Sequence, residues 1–253
     1  MATSQPARRS RIRMLGLTLV GVLLALASGS CGGSRQPAGN TTPEQPVVPV
    51  ASAAARTNLH AGDYVLTQGP ETTGFNASTS LDNRGALSVA AMTGFAACVG
   101  RSGADPKIEP LDSAKGPYFA TNDNLVFMGS VAAVYPAEVI TEAVRIAADP
   151  SFPSCVGDLL KRGYTEAADL PEGSTFTILS TTKRTPPAGV TALTRVKASM
   201  TLDGPAVPMT FDVMFVFAGQ VQSSFLVGRV FDAPDQAVVN RIAKQIVRKT
   251  ANQ

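Results

Sequence analysis

The segment at residues 207–217 constrains the fold most strongly, because its side chains alternate in character along an extended chain. Its sequence is VPMTFDVMFVF, and every second residue from Val207 to Phe217 is apolar. This alternation is typical of a strand that buries one face in a core. Met214 and Val216 lie on the opposite face and are also apolar. That second face therefore needs either a cover of helices or a ligand.

Other apolar and alternating segments predict the remaining strands. Residues 125–135 are apolar on both sides, which is typical of a central strand covered on both faces. In residues 194–202, Arg195 and Lys197 alternate with inward apolar residues. The segments that follow predict an antiparallel meander at the C-terminal end of the chain. The predicted strands lie at residues 64–67, 125–135, 176–178, 194–202, 207–217 and 221–231.

Apolar residues that recur every three or four positions predict four helices. The first carries Leu87, Ala91, Phe95 and Cys98 and ends at Gly100. The predicted helices after it occupy residues 137–148, a short stretch from the cap Ser154 to Gly163, and a final stretch that follows the cap Asp232. Since the helices cluster first and the strands later, we expect an α+β fold, a mostly antiparallel β-sheet packed with helices.

The first thirty residues have the order of an export signal. Four arginines between positions 8 and 13 precede an apolar run at residues 14–27 and small residues at 28–30. The run is shorter than the roughly 20 apolar residues that a membrane span needs. The small residues and the following Cys31 resemble the lipobox of bacterial lipoproteins, although Ser28 stands where that family usually has leucine.

This resemblance implies that residues 1–30 are a lipoprotein signal peptide and that Cys31 is the site of lipid attachment. It predicts a protein anchored by its lipid to the extracytoplasmic face of the cell membrane. Two alternatives stay open: an uncleaved signal anchor, and an ordinary cleavage that leaves Cys31 free. Residues 31–57 are rich in Pro, Gly, Ser and Thr and predict a flexible linker. Residues 58–253 then form a single domain.

The basic charge of the chain belongs to its targeting segment. Removing residues 1–30 takes away four arginines and no acidic residue, which changes the formal net charge from +3 to −1. Phosphate recognition along a nucleic acid needs a basic mature surface. Nucleic acid is therefore not an expected partner.

The two cysteines beyond Cys31 are Cys98 and Cys155. An even pair in an exported chain predicts a disulfide bond. Two buried free thiols are the alternative. A zinc site is not expected, because two distant cysteines without a nearby histidine do not supply enough ligands.

The sequence names no reaction. Its one histidine, His60, stands at the start of the domain, where it is badly placed to serve as a catalytic base. Hydrolase and nucleotide-binding motifs are missing, and the scattered carboxylates have no spacing that marks acid and base partners. We therefore expect a protein that is not an enzyme and has no cofactor, no catalytic residue and no metal site.

The Met and Phe content of the strands is the feature that hints at a ligand. Met128, Met214 and Val216 are candidate contacts for a small apolar ligand, since flexible apolar side chains suit an apolar pocket. The same residues suit an ordinary core equally well. An envelope protein is another possible partner.

Several short motifs together resemble a known family. SVAAVY at residues 130–135, ADPSFPSC at 148–155, a strand with Arg and Lys, the strand at 207–217 and a terminal helix are similar to the PknH-type extracellular sensor domain of actinobacteria. The likeness spans residues 85–249. It implies a sheet and helices around a cleft that is thought to bind an unidentified ligand. The kinase sensor has two disulfides, whereas this chain can supply one.

The resemblance implies a non-catalytic ligand-binding or sensing domain, as in small lipoproteins that carry such a domain without a kinase. Kinase motifs are absent from this sequence. Sensing would therefore pass through a partner protein. The alternative function is an envelope carrier of lipid or glycolipid, which requires an enclosed apolar cavity with room for acyl chains.

Overall fold

A computed structural model describes residues 58–78, 98–99, 109–166, 173–201, 204–251 and 253. Eight antiparallel strands in this part of the chain form one sheet, in the order β1-β3-β4-β8-β7-β6-β5, and β2 pairs with β4 beside β3. The strands are β1 (Asn76–Ser78), β2 (Asp112–Lys115), β3 (Tyr118–Ala120), β4 (Val126–Val134), β5 (Thr175–Arg184), β6 (Ala192–Thr201), β7 (Val207–Ala218) and β8 (Val221–Val230).

The C-terminal meander is confirmed. Strands β5 to β8 pair with their neighbours in chain order, and β8 continues the sheet onto β4. Strand β4 is central, since β8 lies along one of its edges and β2 and β3 share the other. Its side chains are buried over almost the whole length, as the apolar run at residues 125–135 predicts. The α+β class with a mostly antiparallel sheet is therefore correct.

The α-helices of the described chain are α1 (Ala137–Ala148), α2 (Phe152–Glu166) and α3 (Gln236–Thr250). Two short 3-10 helices, Ala61–Tyr64 and Pro70–Thr72, precede the sheet. Helices α1 and α2 pack on one face of the sheet, and α3 packs on the other over β7 and β8. The sheet is thus covered by helices on both sides, which explains why β4 and β7 are apolar on both faces.

The α2 face holds an aromatic core. Phe211 contacts both Phe127 and Phe176, with ring centroids 5.8 and 6.0 Å apart, and Tyr164 of α2 stacks on Phe176 with centroids at 4.3 Å. Gly157 allows this close approach, since a Cβ there would lie 2.6 Å from the Cγ2 atom of Thr181 on β5. Helix α2 is therefore held tightly against β5.

Several predicted bounds are wrong for local reasons. Residues 61–64 form a 3-10 helix, so the strand expected at 64–67 is absent from the described sheet. Helix α2 begins at Phe152 and continues past Gly163, because Tyr164 is buried beyond it. Helix α3 is capped by Asp235, whose side chain accepts a hydrogen bond from the Ala237 N–H at 2.8 Å.

The helix predicted between Leu87 and Gly100 lies outside the described residues except at Cys98 and Val99. Strands β2 and β3, which were not predicted, are short and irregular segments separated by Gly116 and Pro117. None of the helices in the described ranges has the length and apolar character that crossing a bilayer requires.

Candidate functional site

The three predicted ligand contacts lie together in the core beneath α3. Met128 and Met214 have no exposed surface, and Val216 is 2% exposed. They share a buried cluster with Val239 and Ile242 of α3. The helix thus supplies the cover that the apolar second face of β7 requires. Contact of these residues with a ligand stays a prediction, and a ligand would have to displace buried side chains of this cluster to reach them.

The disulfide joins Cys98 to Cys155, with Cα atoms 5.8 Å apart. The predicted pairing is therefore confirmed, and the alternative of two free thiols is excluded. Cys155 is buried within α2, whereas Cys98 is exposed. The proposed lipid site at Cys31 lies outside the described residues.

His60 lies at the beginning of the described chain. His60 is exposed, and its carbonyl oxygen accepts a hydrogen bond from the Asp63 N–H at 3.0 Å. This backbone hydrogen bond starts the first 3-10 helix, and the His60 side chain makes no cap bond to it. Within the described ranges, no three His, Cys, Asp or Glu side chains gather as metal ligands.

A polar area lies on the same face of the sheet as α3, where the sheet extends beyond the helix. Residues opposite each other in neighbouring antiparallel strands point to the same face, and so do residues two apart in one strand. Strand pairing therefore places two polar rows and one further polar residue on this face of β5 to β8, beside the apolar residues that α3 covers. The rows are Ser180–Lys197–Thr210–Arg229 and Thr182–Arg195–Asp212, and the further residue is Arg184, which lies opposite Leu193. We call these rows together with Arg184 the basic floor.

The basic floor is open to solvent at its β5 and β6 end. Helix α3 packs over β7 and β8 and reaches β6 at Leu193, which lies in the buried cluster beneath the helix. Lys197, Thr182 and Arg184 are exposed, whereas Thr210 on β7 is buried. The floor thus passes from a buried polar edge beside α3 to an exposed basic edge.

Arg195 and Asp212 form the structural centre of the basic floor. The Nε and Nη2 atoms of Arg195 each donate a hydrogen bond of 2.7 Å to one carboxylate oxygen of Asp212. The Asp212 side chain is fully buried, and 17% of the Arg195 side chain is exposed. The hydrogen bonds that Arg195 donates to Asp212 raise the pKa of Arg195 above its ordinary value. A paired fork of this kind fixes the guanidinium plane.

The bond pattern leaves part of Arg195 available. In the described part of the chain, its Nη1 amino group has no hydrogen-bond partner. Lys197 and Arg184 likewise make no ion pair with another described residue. Arg229 lies 3.7 Å from the exposed carboxylate of Asp232. The floor therefore presents positively charged donors to solvent, as an anion-binding surface requires.

The N-terminal segment, residues 58–75, covers the other flank of α3 on the same face. The Leu66 N–H donates to Ser130 Oγ at 2.7 Å, and Ser223 Oγ donates to the Tyr64 carbonyl at 3.0 Å. Gln245 of α3 both accepts from the Thr67 N–H at 2.9 Å and donates to its carbonyl at 3.0 Å. The start of the described chain is thus bound to both the sheet and α3.

An ion pair strengthens this contact. Arg248 of α3 donates to Glu71 at 2.6 Å, and Gln245 donates to the other oxygen at 3.4 Å. Glu71 is buried, with 6% of its surface exposed. The hydrogen bond from Arg248 holds the pKa of Glu71 below its ordinary value, against the opposing effect of burial.

The sequence contained a signal for the basic floor that pattern reading missed. Asp212 is a lone carboxylate inside an apolar strand, and a buried carboxylate needs a partner. Arg195 was expected to point to solvent, whereas it is bound to Asp212. The partner could not be assigned, because strand register decides which residue faces Asp212.

No protein-family model matches this sequence, and no curated protein matches it either.

Proposed function

We propose that the chain is an exported lipoprotein, anchored through Cys31 to the outer side of the cytoplasmic membrane, whose domain binds a ligand without transforming it. The observation that carries the binding role is the exposed basic floor around Arg195. Its guanidinium is already held by Asp212, so a ligand gains a donor whose orientation needs no further ordering. Positively charged donors at this surface favour an anionic ligand.

The disulfide supports export. Disulfides persist in oxidising compartments and are rare in the reducing cytosol. A bond between Cys98 and Cys155 is therefore what a chain delivered outside the cytoplasm would form. This agrees with the order of charged, apolar and small residues at the start of the sequence.

A sensing role follows from the anchor and the binding surface together. The chain has no kinase motif, so a bound ligand would change how the domain contacts another envelope protein. The ligand would then act by favouring one partner-bound state over another.

Incorporation of a labelled fatty acid tests the anchor. Wild type should take up the label and sediment with membranes, and Cys31→Ala should take up none. Ser34→Ala, which changes a residue of the predicted linker, is the matched control and should be labelled like wild type. Label that survives in Cys31→Ala would contradict the lipoprotein assignment.

Native mass spectrometry of the chain extracted from its own membranes tests the binding role. We expect a bound anionic molecule that is lost when Lys197 and Arg184 are both changed to Gln. A noncovalently bound lipid that survives this change, but is lost when Met128 is replaced, would instead support the carrier. Protein that carries no ligand in any preparation would contradict both.

A further inference from the structure

Among the described residues, the face of the domain that bears α3 carries more basic than acidic side chains, and its acidic residues include the exposed Asp63 and Asp235. Helix α3 carries Arg241, Lys244, Arg248 and Lys249 and has no acidic residue. The basic floor adds further cations beside it. Three of the carboxylates on this side form ion pairs with arginines, in the pairs Asp212–Arg195, Glu71–Arg248 and Asp232–Arg229. Exposed Lys197, Arg184 and Lys244 therefore have no neutralising partner among the described residues.

The opposite face differs in charge. Helices α1 and α2 together carry four acidic and three basic residues within their bounds. Attraction to a negatively charged surface would consequently turn the α3 face, and not the α1 and α2 face, toward that surface.

The position where the chain enters the fold points in the same direction. The described chain begins at Asn58, and the N-terminal segment binds the sheet face and the helix that make up the basic side. The predicted linker and its acyl anchor precede this segment directly. The chain therefore enters the fold on the same sheet face as the basic floor.

The spacing of the cations suits an array of headgroups. Successive rows of the basic floor lie two residues apart along a strand, so Lys197 and Arg184 are separated by about 13 Å along the strand direction. Lys244 on α3 extends the array across the sheet. Several phosphate groups side by side, as on a lipid surface, match this spread better than one phosphate does.

We infer that the α3 side of the domain docks on anionic phospholipid headgroups of the membrane that holds the anchor. The free Nη1 group of Arg195, together with Lys197 and Arg184, donates to lipid phosphates, and Lys244 adds long-range attraction. This inference rests on the proposed lipid anchor and names the anionic ligand of the proposed binding surface. The docked state places the open end of the basic floor against the bilayer.

Vesicle flotation of the mature chain, residues 31–253 with Cys31→Ser, tests docking without help from an acyl chain. The chain should float with vesicles of phosphatidylcholine and phosphatidylglycerol and should not float with phosphatidylcholine alone. Raising the salt concentration from 0.1 to 1 M should release it, since the screening length falls from about 10 Å to about 3 Å. Equal binding to both vesicle types would overturn the inference.

A matched pair of double variants locates the surface. Lys197→Gln with Arg184→Gln should lower the partition coefficient about 10- to 30-fold. Lys161→Gln with Arg162→Gln removes the same charge from exposed positions on α2 and should change it less than twofold. Equal losses would overturn the inference, because net charge alone would then explain binding. Circular dichroism checks that both variants are folded.

A competition arm separates a lipid surface from a site for a soluble anion. Inorganic phosphate should release the chain no more than potassium chloride of the same ionic strength does. Release by phosphate at a lower ionic strength would replace the lipid surface with a discrete site for a soluble anion. The fatty-acid labelling of Cys31 is independent of all these measurements, so failure of docking and failure of the anchor can be told apart.

Discussion

Arg195 and Asp212 face each other across β6 and β7, and the arginine holds both carboxylate oxygens at 2.7 Å. The two residues differ in access to water, since the aspartate is fully buried and the arginine keeps 17% of its side chain exposed. This difference makes the pair asymmetric. Losing the arginine leaves a buried charge, whereas losing the aspartate leaves a charge that can reach solvent.

The asymmetry predicts unequal stability losses. Arg195→Met should lower the free energy of unfolding by about 3–5 kcal/mol, because the Asp212 carboxylate loses its partner in a buried position. Asp212→Asn should cost only about 1–2 kcal/mol, because the guanidinium can turn toward water. Urea unfolding measures both. Arg184→Met is the control, and this exposed arginine should change stability by less than about 0.5 kcal/mol. A larger loss for Asp212→Asn would refute the argument.

Gly228 should tolerate no side chain. It lies opposite Phe127 on β4 and Phe211 on β7, and the Phe127 ring occupies the space that a Cβ atom would take. Gly228→Ala should therefore destabilise the fold by about 1–3 kcal/mol in urea unfolding, through displacement of the ring. Gly129→Ala is the matched control, since its Cβ would meet only Tyr118 at 3.9 Å. If Gly228→Ala lowered the free energy of unfolding no more than Gly129→Ala does, the Phe127 ring could move aside and the prediction would be wrong.

The disulfide should contribute to stability as one unit. Cys98→Ala and Cys155→Ala each open the same bond, which spans a sequence separation of 57 residues. Each should lower the free energy of unfolding by about 4 kcal/mol in the chain-entropy model, with a smaller loss if the reduced chain keeps structure. The double variant should lose little more than either single one. Additive losses would mean that the two side chains act separately.

The ion pair between Glu71 and Arg248 should make stability depend on pH. The pKa of Glu71 is below its ordinary value of 4.5, so its charged form stabilises the folded state. This contribution is present above pH 4.5 and is lost as the pH falls through the lowered pKa of the folded state. Arg248→Met should therefore be less stable than wild type at pH 7, and the difference should shrink toward pH 3.

Chemical unfolding at the two pH values measures this effect. Arg145→Met is the control, because Arg145 is an exposed residue whose partner Glu142 lies at 3.4 Å on the same helix. It should show little difference from wild type at either pH. A deficit of Arg248→Met that stays constant down to pH 3 would show that the arginine acts through packing alone.

Strand positions could be predicted closely because the signal for them is local. The apolar alternation at residues 207–217 matches β7, and the helix predicted at residues 137–148 matches α1 at both ends. Each of these segments reports its own buried face through spacing of two or of three to four residues. Strand β2 lacks such a pattern, and its residues are alternately exposed and half-buried.

The basic floor could not be predicted, since its members come from different strands. Arg195 was correctly placed on the face opposite Val196, but its partner Asp212 is 17 residues away and is set by the register of β6 on β7. Met128, Met214 and Val216 were found as a group by their apolar character. Sequence could not distinguish core from ligand contact for them, because both environments favour the same side chains.

The amino-acid sequence by itself determined the class of the fold, the order of the meander and the identity of the two cysteines that pair. These follow from local spacing and from a count of residues. Only the tertiary structure decided that α3 covers part of one sheet face, that Arg195 meets Asp212, and that the N-terminal segment enters on the basic side. The reason is physical: such contacts join residues 17 to 178 positions apart, and only the packing of the whole sheet brings them together.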